Sequence, residues 1–326
     1  MKLGFLTACL GGQSLEQVAA WASATGYDCL EVAVWPPGGA HEHNAAHLDV
    51  ANFTAADAER VGELMSRYSL TIPTVTYCDN NLHADDRLRE SIHRHLRSVI
   101  DTAALLGVRN VCTFIGRDVN RSVADNLKSG ERHLRPLVEY AGERGVRLLA
   151  ENCPMEGWHP DGYPSNLAYS PELWDWMADL GFGLTYDPSH LPWLGIDPID
   201  ALRYALRRGM VVHVQAKDIE IDERARTRYG VFGKTVGRAS PTDVGWWRYR
   251  VPGRGGLDWN RVIDTLYAHG YDGTVSVEHE DPVWGGTLAK THEGLRIAAG
   301  TLRPLIGPEA HDPGAAGPGP GGGAGW

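Results

Sequence analysis

The sequence lacks the features that a disulfide-bonded or membrane-spanning protein needs. It has only five cysteines in 326 residues, an odd number with no CxxC pair, which is typical of reduced, buried thiols. No apolar run is long enough to cross a bilayer, and the first strand-like segment leads straight into Gly11-Gly12 without the apolar stretch of a secretory signal. We therefore expect a cytoplasmic protein with no membrane partner.

Basic residues are also scarce. The chain has 31 Lys and Arg against 41 Asp and Glu, which gives a formal net charge of −10. Because phosphate backbones bind stripes of Lys and Arg, this balance argues against a nucleic-acid partner. No GxGxxG motif follows the first strand-like segment and no Walker-type loop occurs, so a phosphorylated substrate would depend on other loops or on Arg side chains.

Short apolar runs alternate regularly with amphipathic stretches along the chain. Each run ends abruptly in Gly, Pro, Asp or Asn, as strands do. The predicted strands are Lys2–Ala8, Cys29–Trp35, Thr71–Tyr77, Asn110–Ile115, Arg147–Asn152, Gly183–Asp187, Val211–Ala216 and Thr274–Glu278. Several are apolar at consecutive positions, which is typical of parallel strands that are covered on both faces.

Amphipathic segments fill the intervals between these strands and predict helices. Most begin at a capping residue and end at Gly, which favours a left-handed C-terminal cap. The predicted helices are Leu15–Thr25, Thr54–Tyr68, Asp85–Leu106, Val123–Arg144, Pro171–Leu180, Pro198–Arg208, Asp258–His269 and Thr287–Leu305. Strand–helix units in strict alternation predict an α/β fold, either a closed barrel or a doubly wound sheet. Eight strands, with no GxGxxG motif after the first, favour a (β/α)8 TIM barrel.

Two segments stand outside this alternation. An insertion at residues 219–256 follows the seventh strand and is rich in Arg and aromatic residues. Long loops inside compact domains are usually functional or disordered, and the aromatic residues here favour a folded lid or an interface. The tail at residues 307–326 is rich in Gly and Pro and is predicted to be disordered. The catalytic domain is therefore expected to span residues 1–306.

Ionisable side chains lie on four successive strands, at the end of the barrel where active sites are built. They are Glu151, Asp187, His213 and Glu278. Singly, Asp187 could cap a helix and His213 could be a core histidine. Glu151 and Glu278 follow apolar residues directly, so their charges must be paired or metal-bound to offset desolvation. Three carboxylates and one imidazole predict one divalent metal ion, Mn²⁺ above all, with Mg²⁺, Co²⁺ and Zn²⁺ as alternatives.

Other residues near the strand ends have two interpretations each. Lys217 binds substrate hydroxyls or forms a salt bridge, as does Asp218. Arg254, on a Gly-rich turn, reaches the substrate or faces solvent. Glu156 is expected to form a pocket wall, and Trp35 to stack on a sugar, although Trp more commonly packs in a core. Three histidines in the loop after the second strand hold a second metal, contact substrate or face solvent: His41, His43 and His47.

Four segments of the chain resemble the xylose-isomerase-like barrel superfamily. They are Glu151-Asn152-Cys153-Pro154, Asp187-Pro188-Ser189-His190, His213-Val214-Gln215-Ala216-Lys217-Asp218 and Val277-Glu278. The resemblance extends to about Ile306. By analogy with ketose 3-epimerases of this superfamily, it implies that Glu151, Asp187, His213 and Glu278 bind the metal. It also implies that Glu151 and Glu278 act as the acid/base pair and that His190 contacts the substrate.

The resemblance implies a metal-dependent sugar isomerase or epimerase that acts on a keto-sugar or related polyol through a metal-stabilised enediolate. Two alternatives stay open: a metal-dependent dehydratase or eliminase acting on an inosose or a 3-keto-glycoside, and a non-catalytic sugar-binding barrel. Endonuclease IV shares the fold but uses further His ligands at strands three and four, which end here without His. The expected partner is a small carbohydrate, and homo-oligomer formation is left open.

Overall fold

Eight apolar segments form parallel strands that close into a barrel. The structure, a computed structural model, describes residues 1–37, 45–159, 162–240 and 243–307. The barrel strands are β1 (Lys2–Leu6), β2 (Cys29–Ala33), β3 (Thr71–Thr76), β4 (Asn110–Thr113), β5 (Arg147–Glu151), β6 (Gly183–Tyr186), β7 (Val211–Ala216) and, after the two strands β8 (Asp218–Ile221) and β9 (Trp247–Arg250), β10 (Thr274–Val277). They follow one another in chain order around the barrel, and β10 closes it between β7 and β1. The predicted (β/α)8 barrel is confirmed.

Helices alternate with the barrel strands, as predicted. They are α1 (Leu15–Ala24), α2 (Ala55–Arg67), α3 (Asp86–Leu105), α4 (Val123–Gly142), α5 (Pro171–Asp179), α6 (Pro198–Arg207), α7 (Glu223–Tyr229), α8 (Trp259–Ala268) and α9 (Leu288–Leu302). Ser14 and Gln17 form the predicted capping box that starts α1. Gly107, which follows α3, has a φ of 70°, in the left-handed region that glycine adopts without a steric penalty.

The barrel strands are buried on both faces. All five residues of β2 are buried, and so are all four residues of β6. One large apolar cluster joins the strands to the buried faces of the helices. This arrangement explains the continuous apolar runs in the sequence, because side chains fill the barrel interior while helices cover its outside.

The insertion after β7 is folded, as expected. Its strands β8 and β9 pair antiparallel into a two-stranded unit, here called the inserted ribbon, with Asp218 opposite Arg250. The Asp218 carboxylate accepts hydrogen bonds from the backbone N–H groups of Ile219, Gly253 and Leu257 and from the Trp259 indole. Asp218 therefore anchors both ends of the insertion through hydrogen bonds, and among the described residues it forms no salt bridge.

The structure also bears on the expectations for membrane spans, for the cysteines and for the loop histidines. Among the described residues, every helix is too short or too polar to pass through a bilayer. All five cysteines are free, and four of them are buried. His41, His43 and the tail beyond residue 307 lie outside the described residues. The ring of His47 lies 3.1 Å from the carbonyl oxygen of Thr7, at the start of the loop after β1.

Candidate active site

Three carboxylates and one imidazole meet at the carboxyl ends of β5, β6 and β10. We call this set the acid cluster, and its members are Glu151, Asp187, His190 and Glu278. One ligand-type atom from each lies within 4.8 Å of those of the other three. All four residues are buried, with at most 8% of any of them exposed. The folded barrel therefore gathers groups that water does not solvate and that must neutralise one another or bind a cation.

Short connections after the strands place these side chains. Asp187 follows β6, and its carboxylate accepts a 2.8 Å hydrogen bond from the N–H of Ser189. The chain then forms a tight helical turn at Pro188–His190, which directs the imidazole back toward β5. His190 Nε2 lies 3.1 Å from Glu151 Oε1 and 3.2 Å from Asp187 Oδ2. The Asn152 side chain holds the ends of β5 and β6 together through both backbone groups of Asp187.

Lys217, at the end of β7, inserts a positive charge among the carboxylates. Its Nζ lies 2.9 Å from Glu278 Oε2 and 2.8 Å from Glu280 Oε2. It also lies 3.3 Å from Asp187 Oδ2, and only 1% of the residue is exposed. Of the two roles expected for Lys217, the structure shows the salt bridge.

Burial and mutual charge push the pKa values of these carboxyl groups apart. Burial raises the pKa of Glu278 well above its ordinary value, and the neighbouring Glu151 charge adds to this. Burial also raises the pKa of Glu151, although a hydrogen bond from His190 opposes it. Burial alone would raise the pKa of Asp187, but His190 and Lys217 lower it to about 2. The two glutamates are therefore the groups suited to hold protons, while Asp187 stays ionised.

The donor set of the acid cluster fits a divalent cation. Oδ2 of Asp187 is buried, and its close contacts are the ion pairs with His190 and Lys217, so it lies where a positive charge is stabilised. Carboxylate oxygens with one imidazole are donors that Mn²⁺ and similar ions accept. Softer donors lie next to this set, because the thiols of Cys78 and Cys112 form a second close group with Glu151. These thiols add to the case for Zn²⁺ as an alternative ion.

His213 does not join the acid cluster, contrary to prediction. Its Nε2 lies 2.9 Å from Oε2 of Glu31, a fully buried residue of β2. Because side chains two apart on a strand point the same way, His213, Gln215 and Lys217 form a column along β7, and Lys217 is the member that reaches the acid cluster. His213 and Gln215 instead pair with Glu31. The imidazole at the acid cluster comes from His190, for which the sequence had indicated a substrate contact.

Three residues near the acid cluster were not predicted from the sequence. Glu31 follows apolar residues within a strand, the same signal that marked Glu151, and could have been found. Glu280 lies two residues beyond Glu278 and contacts Lys217. Tyr249, on β9, places its hydroxyl 2.7 Å from His190 Nδ1. Nothing in the local sequence singles out Tyr249, because its position depends on how the insertion folds over the barrel.

Of the other residues predicted to contact substrate, Glu156 lines the site, whereas Trp35 and Arg254 do not. Glu156 is 5% exposed and lines the cavity described below. Trp35 is partly buried, and its indole donates a hydrogen bond to the carbonyl of Cys78. Arg254 is exposed on its turn. Neither Trp35 nor Arg254 is among the described residues that line the cavity.

A cavity of about 1230 Å³ lies beside the acid cluster. Its walls are the inserted ribbon, the segment after β10 and the turn after β1. Three lining residues connect it to the acid cluster: Glu156, Tyr249 and Glu280. Since Tyr249 contacts His190 and Glu280 contacts Lys217, a ligand in this cavity would lie next to the ionisable groups.

A family model and several known proteins are similar to this chain. The family model for xylose isomerase-like TIM barrels matches residues 19–305. The protein YfiH of Bacillus subtilis, described as uncharacterized, is 27% identical over 329 residues, covering 94% of this chain and 99% of YfiH. The match to the family model covers most of the barrel, including β5, β6, β7 and β10.

Two solved structures show the same fold. The structure of a D-psicose 3-epimerase superposes with a TM-score of 0.65 at 16% identity, covering 94% of this chain and 99% of that one. The structure of the probable 3-DHS dehydratase AsbF from Bacillus anthracis gives a TM-score of 0.65 at 16% identity, with coverage of 93% and 99%. At these identities, the likeness shows the architecture.

Proposed function

Because the chain belongs to the xylose isomerase-like TIM barrel family, we propose that it is a metal-dependent sugar isomerase or epimerase acting on a keto-sugar or related polyol. The observation that supports this most is the convergence of the acid cluster beside a large cavity. A structural role would not require four buried ionisable groups and a buried lysine at one end of the barrel. Buried, mutually perturbed carboxyl groups are typical of catalytic sites.

The acid cluster would hold one divalent ion. Mn²⁺ suits its oxygen-rich donors, with Mg²⁺, Co²⁺ and Zn²⁺ as alternatives. When bound, such an ion supplies Lewis-acid stabilisation of the negative charge that develops on a sugar carbonyl oxygen as the adjacent carbon loses its proton. Asp187, whose pKa is lowered, stays anionic and so remains available as a ligand.

The two glutamates are proposed to transfer the proton. Glu151 ends β5 and Glu278 follows β10, and two strands, β6 and β7, separate them around the barrel. They therefore approach a substrate from different sides. One removes the proton from the carbon next to the carbonyl, and the other returns a proton to the opposite face or to the neighbouring carbon. The first outcome is epimerisation and the second is isomerisation.

A dehydratase or eliminase is a second candidate, because a further acid faces the cavity. Glu156 lines the cavity, and burial raises its pKa. A protonated Glu156 could donate its proton to a leaving oxygen once the carbon next to the carbonyl has been deprotonated. The similarity to the structure of a probable dehydratase is consistent with this chemistry on the same fold.

The test is proton exchange in D₂O. The purified protein, supplied with Mn²⁺, is incubated with a panel of keto-sugars, inososes and 3-keto-glycosides and followed by proton NMR. The proposal predicts loss of the signal of the proton next to the carbonyl, with an epimer or isomer as product. Appearance of an unsaturated product would instead support the eliminase. A Glu278→Gln variant controls for background exchange, and if the wild type shows no more exchange than this variant on any substrate, the proposal fails.

A further inference from the structure

The cavity beside the acid cluster is larger than a single sugar ring needs. Pockets that bind drug-sized ligands usually have volumes of roughly 300–1,000 Å³. This cavity has about 1230 Å³, and a monosaccharide is smaller than a typical drug. One ring placed where the cavity meets the acid cluster, beside Glu156, Tyr249 and Glu280, would therefore leave much of the cavity to a second group.

The cavity extends away from the acid cluster between two walls. One wall is the inserted ribbon, where Trp247 is buried and stacks on Trp193 with ring centroids 4.9 Å apart. The other wall includes Leu288 at the start of α9, which is 48% exposed and therefore lies on the solvent side of the lining. The stacked tryptophans make the ribbon wall a rigid surface, and the outer end is open to solvent.

The walls carry far more acid than base. Six lining residues carry carboxyl groups: Glu156, Glu220, Asp222, Asp243, Glu280 and Asp281. Among the described lining residues, Arg248 is the one Lys or Arg, and its guanidinium is already paired with Glu220 at 3.0 Å. The cations that pair with other members are Lys217 with Glu280, Arg250 with Asp281, and Lys234 with Asp243. Lys217 and Arg250 are nearly buried, Lys234 is partly exposed, and none of the three is part of the described lining.

This charge distribution disfavours a phosphorylated ligand. A phosphate dianion would meet carboxylates whose cationic partners are already engaged, in a partly enclosed space where charges interact more strongly than in bulk water. It would find no unpaired guanidinium among the described lining residues to bind it. Sugar hydroxyls have the opposite preference, because ionised carboxylates accept hydrogen bonds from them.

We infer that the cavity binds an uncharged glycoside of at least two rings, with one ring at the acid cluster and the second between the inserted ribbon and α9. A phosphorylated monosaccharide is excluded as the preferred ligand. The identity of the reacting ring rests on the proposed function. The preferences for size and charge are properties of the cavity and can be measured without turnover.

The experiment is calorimetric titration of the Mn²⁺-loaded protein with unreactive probes. The probes are a panel of disaccharides, the methyl glycosides of their component sugars, and the corresponding sugar 6-phosphates. The best disaccharide should bind at least tenfold more tightly than its methyl glycoside. Every sugar phosphate should bind more weakly than its uncharged parent, and this penalty should shrink as added salt screens the charges. Tighter binding of a sugar phosphate than of its parent would overturn the inference.

A matched pair of variants tests the position of the second ring. Leu288→Trp should narrow the outer end, lowering disaccharide affinity at least tenfold while leaving methyl glycoside affinity unchanged. Leu88→Trp, at an exposed position on α3 outside the cavity lining, should change neither. Equal disaccharide binding by both variants would contradict the inference.

Failure of the inference and failure of the proposed function give different results. Preferred binding of a disaccharide without any proton exchange would refute the proposed function alone. Proton exchange restricted to monosaccharides or sugar phosphates would refute the inference alone.

Discussion

The hydroxyl of Tyr249 lies 2.7 Å from Nδ1 of His190. Tyr249 belongs to the inserted ribbon, whereas His190 follows β6 and contacts Glu151 through Nε2. The Tyr249 ring also lies over the ammonium group of Lys217, at 4.5 Å from the ring centroid. A histidine with a fixed partner on one nitrogen presents the other in a defined orientation. The insertion therefore helps to orient the imidazole of the acid cluster.

Tyr249→Phe should reduce activity without unfolding the protein. It removes a hydrogen bond to a group in a charged cluster, an interaction worth roughly 1.5–3 kcal/mol, so we expect kcat to fall roughly ten- to a hundredfold. Tyr204→Phe is the matched control, because the Tyr204 hydroxyl donates to Asp175 away from the acid cluster. Steady-state kinetics and thermal unfolding of both variants provide the measurement. Equal activity of the two variants would show that Tyr249 does not position His190.

His190→Ala should impair metal binding, whereas His213→Ala should lower the stability of the fold. His190→Ala should abolish tight binding of Mn²⁺, because the imidazole of the acid cluster is lost. His213→Ala should still bind one ion per chain but should be less stable by about 1.5–3 kcal/mol, since it removes a hydrogen-bond partner of the fully buried Glu31 carboxylate. Metal analysis after gel filtration and denaturant unfolding measure the two effects. Loss of the metal in His213→Ala instead would restore the assignment made from the sequence.

Asp218→Ala should release the insertion while leaving the barrel folded. The carboxylate binds backbone N–H groups on both sides of the insertion and the Trp259 indole. Limited proteolysis should therefore cleave within residues 219–256 at least tenfold faster than in the wild type. Asp258→Ala removes an exposed helix cap of α8, at a cost of about 1 kcal/mol, and should not increase cleavage there. Equal cleavage of the two variants would contradict the anchoring role of Asp218.

The ionised carboxylate of Asp281 should stabilise the insertion, and this stabilisation should be lost in acid. Burial would raise its pKa, but hydrogen bonds from the Val251 N–H and from Arg250 lower it. A carboxyl group with a lowered pKa stabilises the fold above its ordinary pKa, and this contribution is lost as the pH falls through the lowered value. The difference in unfolding free energy between the wild type and Asp281→Asn should thus be constant near neutral pH and shrink in strong acid. A difference that does not depend on pH would refute this role.

The architecture could be predicted from the sequence because its signals are local. The barrel strands begin where predicted, and at Cys29 and Thr274 the run starts directly after a turn residue, Asp28 or Gly273. Helix starts such as Ser14 were equally clear, because a capping box is formed by residues three apart. Apart from β7, which ends at Ala216 as predicted, the strands end one or two residues earlier than predicted.

The candidate site could be predicted only in part. Glu151 ends β5, and Asp187 and Glu278 directly follow β6 and β10, so the topology alone brings them together. His190 reaches the acid cluster only because the turn after Asp187 folds back, which the sequence does not specify. His213 resembled a ligand because it lies on the correct strand, but the height of a side chain within the barrel depends on the strand register. The contact of Tyr249 depends on Asp218 and Asp281, which fix the insertion over long sequence distances.

The position of a bound metal tests the central claim most directly. Crystals of the protein grown with Mn²⁺ can be measured at a wavelength where manganese scatters anomalously. The account predicts one anomalous peak per chain at about 2.0–2.4 Å from ligand atoms of Glu151, Asp187, His190 and Glu278. A peak coordinated by His213, or fully occupied metal elsewhere with none in the acid cluster, would contradict it.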